Sequence, residues 1–292
     1  MREIKKLPIE IFGHDVESDT DSAMAARKLQ YCKYLKATCN KPRKSEPHLK
    51  VGICTLGASV RGGKKQPVII CPQRFKEEVM FETIIQKYLT LWDNVKWVQE
   101  VNIGVGGSVD FVAVEVDSHD VVKDFLCVEI QAAGTTGTPY TYVKELLTDG
   151  HFSGKRYNYG INWANEFSKT MMQQAYKKGR ILDSWGRKIV FVVQDLAMEY
   201  LKSAVDCSLL TSSNAASPVD FCSFSLIPNK KNSWKLMFEQ IQSTTIEGID
   251  LMLGGANINE YPTEEEFISN IIRKGISDGV LESNQYTKKF VC

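Results

Sequence analysis

The chain has 292 residues, of which 43% are hydrophobic and 24% charged, and a formal net charge of +1. That is the balance of a soluble globular protein large enough to bury a sizeable core in one or two domains. No apolar run approaches the roughly 18 residues of a membrane helix, and a near-neutral chain can still carry a basic face for a polyanion.

The first stretch, "MREIKKLPIEIFGHDV", scatters charge among its apolar residues and has no small-residue cleavage site. It does not read as a secretory signal, so a cytoplasmic location is expected. Residues 1–75 are loop-rich, with short strand-like pieces ("KVGICTL", "PVIICP") set between exposed turns ("PRKSEP", "RGGKKQP"). Between Asn40 and Lys65 stand seven basic residues (Lys41, Arg43, Lys44, Lys50, Arg61, Lys64, Lys65) against one acid, Glu46.

From residue 76 the pattern changes, and 76–292 is read as a second unit. "FKEEVMFETIIQKYLTLW" spaces Val79, Ile84, Ile85 and Leu89 as a helix. A strand, a glycine turn, a strand over 108–116, a polar turn at Ser118 and His119 and a strand over 125–132 follow. "ANEFSKTMMQQAYKKGRIL" is an amphipathic helix with Phe167, Met171 and Ala175 on one face. "RKIVFVVQD" is a buried strand, "LAMEYLKSAV" a helix and "VDFCSFSLIP" a further strand. The tail from Trp234 reads as mostly helical. The order predicts a mixed α/β domain, a sheet flanked by helices.

Four of the eight cysteines fall in the first quarter: Cys32, Cys39, Cys54 and Cys71. Six, fourteen and sixteen residues separate them, without the short knuckle of common zinc sites. Two readings stay open, separately buried thiols or one structural metal site. A polar segment poor in large apolar residues needs a staple, and four thiolates around a divalent ion supply one with no open position for chemistry. The adjacent lysines and arginines would reach phosphates. Cys127, Cys207, Cys222 and Cys292 have no visible catalytic partner, and His14, His48, His119 and His151 share no spacing that suggests a base.

"DFLCVEIQAAGTTG" puts Glu129 and Gln131 two apart on one strand, hence on one face and about 6.6 Å from each other. That suits a sheet edge with a polar face or half of an active site. Asp110, on the preceding strand, can converge on Glu129 across the hairpin. Two carboxylates so close repel unless a cation lies between them, and magnesium prefers such oxygens. In that role Asp110 and Glu129 hold the ion and Gln131 orients the attacking water. An acid, a loop and a second acid also occur without chemistry.

Taken together, "IEIFGHDV", the four cysteines ending in "VIICPQRF", "VDFVAVEV" and "VEIQAAGTTGTPY" resemble the NotI-type restriction endonucleases, in order over roughly the first 180 residues. The resemblance implies a PD-(D/E)XK nuclease core behind a four-cysteine module that clamps DNA and holds iron, with zinc the second choice. It implies magnesium-dependent cleavage of double-stranded DNA at a GC-rich palindrome by a homodimer, leaving 5′-phosphates, with a cognate DNA methyltransferase in the host. Asp110 and Glu129 match the metal-binding acids, Gln131 the glutamine that replaces the usual lysine, and Cys32, Cys39, Cys54 and Cys71 the thiolates. Glu100 is a further acid to be tested by its position. Arg43, Arg61 and Arg74 are candidates for contacts to guanine. The competing classes are a DNA-binding protein with an inactive nuclease core and a nuclease of low specificity, which a cleavage assay separates.

Overall fold

The computed structural model describes residues 4–43, 46–60, 63–104, 107–119, 121–153, 155, 158–229, 233–254 and 263–271. Lys44, Arg61, Cys292 and the tail beyond Ile271 lie outside them. Residues up to Gly254 form one compact unit, and Gly255–Cys292 a second in which helix Glu264–Ile271 is described.

The described residues up to Ile69 build a small sheet with appended ribbons. Strands β1 (Pro8–Ile11) and β2 (His14–Asp15) lead into helix α1 (Asp21–Leu29), within the stretch expected to be loop-rich. Thr20 caps that helix by accepting from the Ala23 N–H at 3.3 Å, and Gln30 ends it at φ 52°. Two short ribbons follow, β3 (Tyr31–Cys32) with β4 (Ala37–Thr38), and β5 (Pro42–Arg43) with β6 (Glu46–Lys50). Strands β7 (Ile53–Ser59) and β8 (Lys65–Ile69) then complete a four-stranded sheet in the order β2-β1-β7-β8.

The remainder of the compact unit is organised by a seven-stranded mixed sheet. Helix α2 (Glu78–Tyr88) precedes the antiparallel strands β9 (Val95–Asn102), β10 (Ser108–Val116) and β11 (Val122–Gln131). A ribbon, β12 (Thr135–Thr136) with β13 (Gly160–Ile161), brackets helix α3 (Tyr140–Asp149), a second helix absent from the sequence reading. A π-helical segment, Ala164–Met171, runs without a break into α4 (Met172–Ser184). Then come β14 (Ile189–Gln194), α5 (Asp195–Ala204), β15 (Thr211–Ser212), β16 (Val219–Asn229), β17 (Ser233–Thr244) and α6 (Ile246–Met252). The helix Glu264–Ile271 of the second unit is α7.

The sheet order is β15-β17-β16-β14-β11-β10-β9, with β14 parallel to both β11 and β16. Strand alternation splits the core in two. Ile189, Phe191 and Val193 join Met171, Ala175 and Leu182 on one face, while Val190 and Val192 join Met80 and Ile84 of α2 on the other. The tail from Trp234 departs from the helical expectation. Although Lys235, Leu236, Met237 and Gln240 favour helix, β17 pairs with β16 from Ser233 to Thr244, because the buried strand β16 supplies a ladder and a core for it.

One buried network ties the small sheet to the large one. Arg74 is 0% exposed and donates to Glu10 at 2.7 Å, Glu77 at 2.5 Å and the Trp234 carbonyl at 3.1 Å, with its guanidinium over the Tyr34 ring. It therefore cannot read guanine, and that expectation falls. Gln194 adds a second clasp, accepting from Ile69 N–H at 2.9 Å and donating to the Pro67 carbonyl at 2.7 Å. Replacing Arg74 by Met strands Glu10 without its cation, so a loss of about 3–5 kcal/mol in unfolding free energy is expected in a urea titration.

Candidate active site

Glu129 and Gln131 do not lie at a sheet edge, since β11 lies between β10 and β14. The β10–β11 ladder runs from the turn at Asp117–Val121 up to Phe111↔Val128. Continued by one residue, that register sets Asp110 opposite Glu129. There Asp110 takes over the ladder's role with its side chain, because the Ile130 N–H donates to Asp110 Oδ2 at 2.8 Å. β10 continues along β9 and β11 continues along β14, so the two strands part at the acids.

Glu129 is 5% exposed. Burial, then the charge of Asp110, pushes its carboxyl up to about 7, against an opposing pull from Lys178. Lys178 of α4 forms an ion pair with Glu129 Oε1 and also donates to the Ser108 carbonyl at 2.7 Å. Gln131 is half-buried, with Nε2 donating to the Ala132 carbonyl at 3.2 Å and to Glu166 Oε2 at 3.4 Å. Glu166 comes from the π-helical segment, a geometry often found at functional sites. Its carboxylate lies against Gly134, where any Cβ would collide with it. Glu100 is exposed on β9, at the register position facing Asp110 and at φ 55°, a conformation uncommon outside glycine.

The structure thus brings Asp110, Glu129 and Gln131 together and adds two residues the sequence reading missed. Both come from the helix Ala164–Ser184. The signal for Lys178 was its place on the helix's inward stripe, in the run Met171, Ala175, Lys178, Leu182, where a cation is out of keeping with its neighbours. The signal for Glu166 was Gly134 in the turn after the strand.

The four early cysteines are buried and line one small cavity of about 10 Å³ with Phe12, Leu35 and Ile53. Burial pushes the Cys54 thiol well up, and the nearby Cys71 adds to the shift. Burial also raises Cys32, with lesser effects from Cys39 and Cys71. Among the described residues no group of three or more His, Cys, Asp or Glu side chains is arranged to hold a metal ion. Four soft sulfur donors around one cavity nevertheless have the chemistry for iron or zinc. Burial pushes Cys127 and Cys222 to about 12, so both stay protonated and unreactive at neutral pH. Arg43 packs its guanidinium over the Tyr140 ring at 4.3 Å and pairs with Glu46.

A family model described as restriction endonuclease NotI matches residues 24–216. The chain belongs to the NotI restriction endonuclease family. No match is found among curated proteins. The span matched by the NotI family contains the four early cysteines, both acids, Gln131, Glu166 and Lys178. Among the described residues no helix is long and apolar enough to cross a membrane.

A carboxyl raised from 4.5 to about 7 binds a proton in the folded protein that the unfolded chain has already released. The stabilisation it gives is complete below pH 4.5 and is lost as the pH rises to about 7. The wild-type protein should therefore lose on the order of 3 kcal/mol relative to Glu129→Gln across that window, measured by chemical unfolding without divalent ions.

Proposed function

We propose that the protein is a type II restriction endonuclease that hydrolyses double-stranded DNA at a specific, GC-rich palindrome and leaves 5′-phosphates. The observation that carries this reading is the meeting of Asp110 and Glu129 where β10 and β11 part, with Gln131 next along the same face of β11. The order helix α2, strands β9, β10 and β11, helix α4, strand β14 supports assignment to the PD-(D/E)XK nucleases.

Asp110 and Glu129 are the residues that would hold magnesium, since two facing hard oxygen donors, one of them buried, call for a small hard cation. When bound, that ion would neutralise phosphate charge and make a water molecule more acidic. Gln131 commits its N–H donors to Ala132 and Glu166, so its carboxamide oxygen is the atom that can orient the attacking water. The carboxamide has no basic site, and the proton passes to a phosphate oxygen of the substrate. Attack in line with the 3′-oxygen leaves the phosphate on the 5′ end.

A homodimer suits a palindrome because each copy presents one set of acids to one strand. Residues 1–75, centred on Cys32, Cys39, Cys54 and Cys71, would form a module held by iron or zinc and closing on the DNA. A cognate DNA methyltransferase would protect the host at the same sequence.

Incubation of the purified protein with long, GC-diverse DNA and magnesium, followed by sequencing of the ends, tests the reading. Discrete ends around one palindrome are expected. Asp110→Ala or Glu129→Ala should abolish cleavage while binding to the mapped site persists in calcium. Intact DNA under tight binding would favour an inactive nuclease core, and scattered ends a low-specificity nuclease. Elemental analysis should give about one iron or zinc per chain, lost together with folding in Cys54→Ser or Cys71→Ser.

A further inference from the structure

A buried lysine that faces an acid needs a reason beyond stability. Lys178 is 3% exposed and lies on the packed stripe of α4 between Ala175 and Leu182. Methionine or leucine would fill that stripe without desolvating an ammonium, and buried ion pairs are often no more stabilising than apolar replacements. Its two contacts are informative. One reaches Ser108, at the start of β10, and the other reaches Glu129 on β11, so a single ammonium spans the place where the strands part.

The pattern of committed oxygens is the second observation. Asp110 has Oδ2 tied to the Ile130 N–H at 2.8 Å. Glu129 has Oε1 tied to Lys178. Each acid thus has one oxygen fixed by the protein, and a second, Asp110 Oδ1 or Glu129 Oε2, to which neither of these bonds runs.

We infer that Lys178 is a positioning residue of the active site: by holding one oxygen of Glu129 and the Ser108 carbonyl, it presents the other oxygen of Glu129, beside Asp110, as a single-point ligand for the divalent cation. The inference rests on the nuclease reading above. Single-point presentation matters because magnesium demands near-ideal octahedral geometry at short distance and tolerates a two-oxygen carboxylate poorly. Groups that orient a ligand in this way are worth about 10- to 100-fold in metal affinity or activity.

The test uses the full chain with Lys178→Gln and Lys178→Arg beside the wild type and Asp110→Ala. Cleavage of the mapped DNA gives kcat and KM, and calorimetry of magnesium added to the protein bound to a cleavage-resistant phosphoramidate analogue of that DNA reads the site without turnover. Lys178→Gln should lower kcat and magnesium affinity by about 10- to 100-fold each, with KM for DNA unchanged. Lys178→Arg keeps the charge but brings a planar fork in place of a point donor, so it should fold and lose about tenfold in both quantities. A folded Lys178→Gln with wild-type kcat and magnesium affinity overturns the inference. Should that variant not fold, wild-type values in Lys178→Arg overturn it instead. A wild type that cuts no DNA sinks the nuclease reading; a wild type that cuts through Asp110, with unaltered Lys178 variants, sinks only the role of Lys178.

Discussion

Two carboxylates brought opposite each other, Glu129 buried and Asp110 half-buried, are the constraint on which this site depends. A β-ladder has no use for Asp110 facing Glu129, because each would be more favourable as an apolar or threonine pair. The fold accommodates them by parting the strands and by substituting the Asp110 side chain for a ladder partner at Ile130. It also lays over them a helix whose inward face carries a cation. Burial and mutual repulsion raise Glu129, and Lys178 offsets part of that rise. A carboxyl balanced in this way between burial, a neighbouring acid and a cation is the kind of perturbed group that the proposed metal-binding role would draw on.

What the sequence disclosed follows from which relations are local. Asp110, Glu129 and Gln131 were legible because two-residue alternation and one tight turn fix their relative places, and the hairpin register follows from them. Lys178 lies 49 residues from Glu129, and its approach depends on how α4 docks on the sheet, which periodicity does not specify. Glu166 needed the same docking together with the missing side chain at Gly134. Lengths misled elsewhere. Helices α1 and α3 are short and polar enough to pass for loops, and β17 is rich in helix formers that a buried partner strand overrides.

Arg74 links the segment that lines the thiol cavity to the large sheet. The cavity is lined by Cys71, and three residues on Arg74 joins Glu10 of β1 to Glu77 at the start of α2 and to the Trp234 carbonyl on β17. A cation with no solvent contact and three oxygen partners is costly to disturb, since moving either sheet would leave charges buried and unpaired. The small sheet is therefore fixed on the large one by charge as well as by packing. Its own core adds α3, through Tyr142, Val143 and Leu146, which the chain inserts between β12 and β13 just after β11.

That insertion ties the acid site to the small sheet through the chain itself. The chain leaves β11 at Gln131, reaches α3 on the small sheet, and returns through β13 to the helix that carries Glu166 and Lys178. The residues that complete the acid site are thus connected to the thiol-lined sheet on both sides, by the segment going out and by the segment coming back. Gly137 sits in that outgoing turn at φ 78°, with the Asn158 carbonyl too near to admit a side chain, so the two segments run in close contact. Chain connection and the β12–β13 ribbon together thus join the cysteine-lined sheet to the helix that carries Glu166 and Lys178.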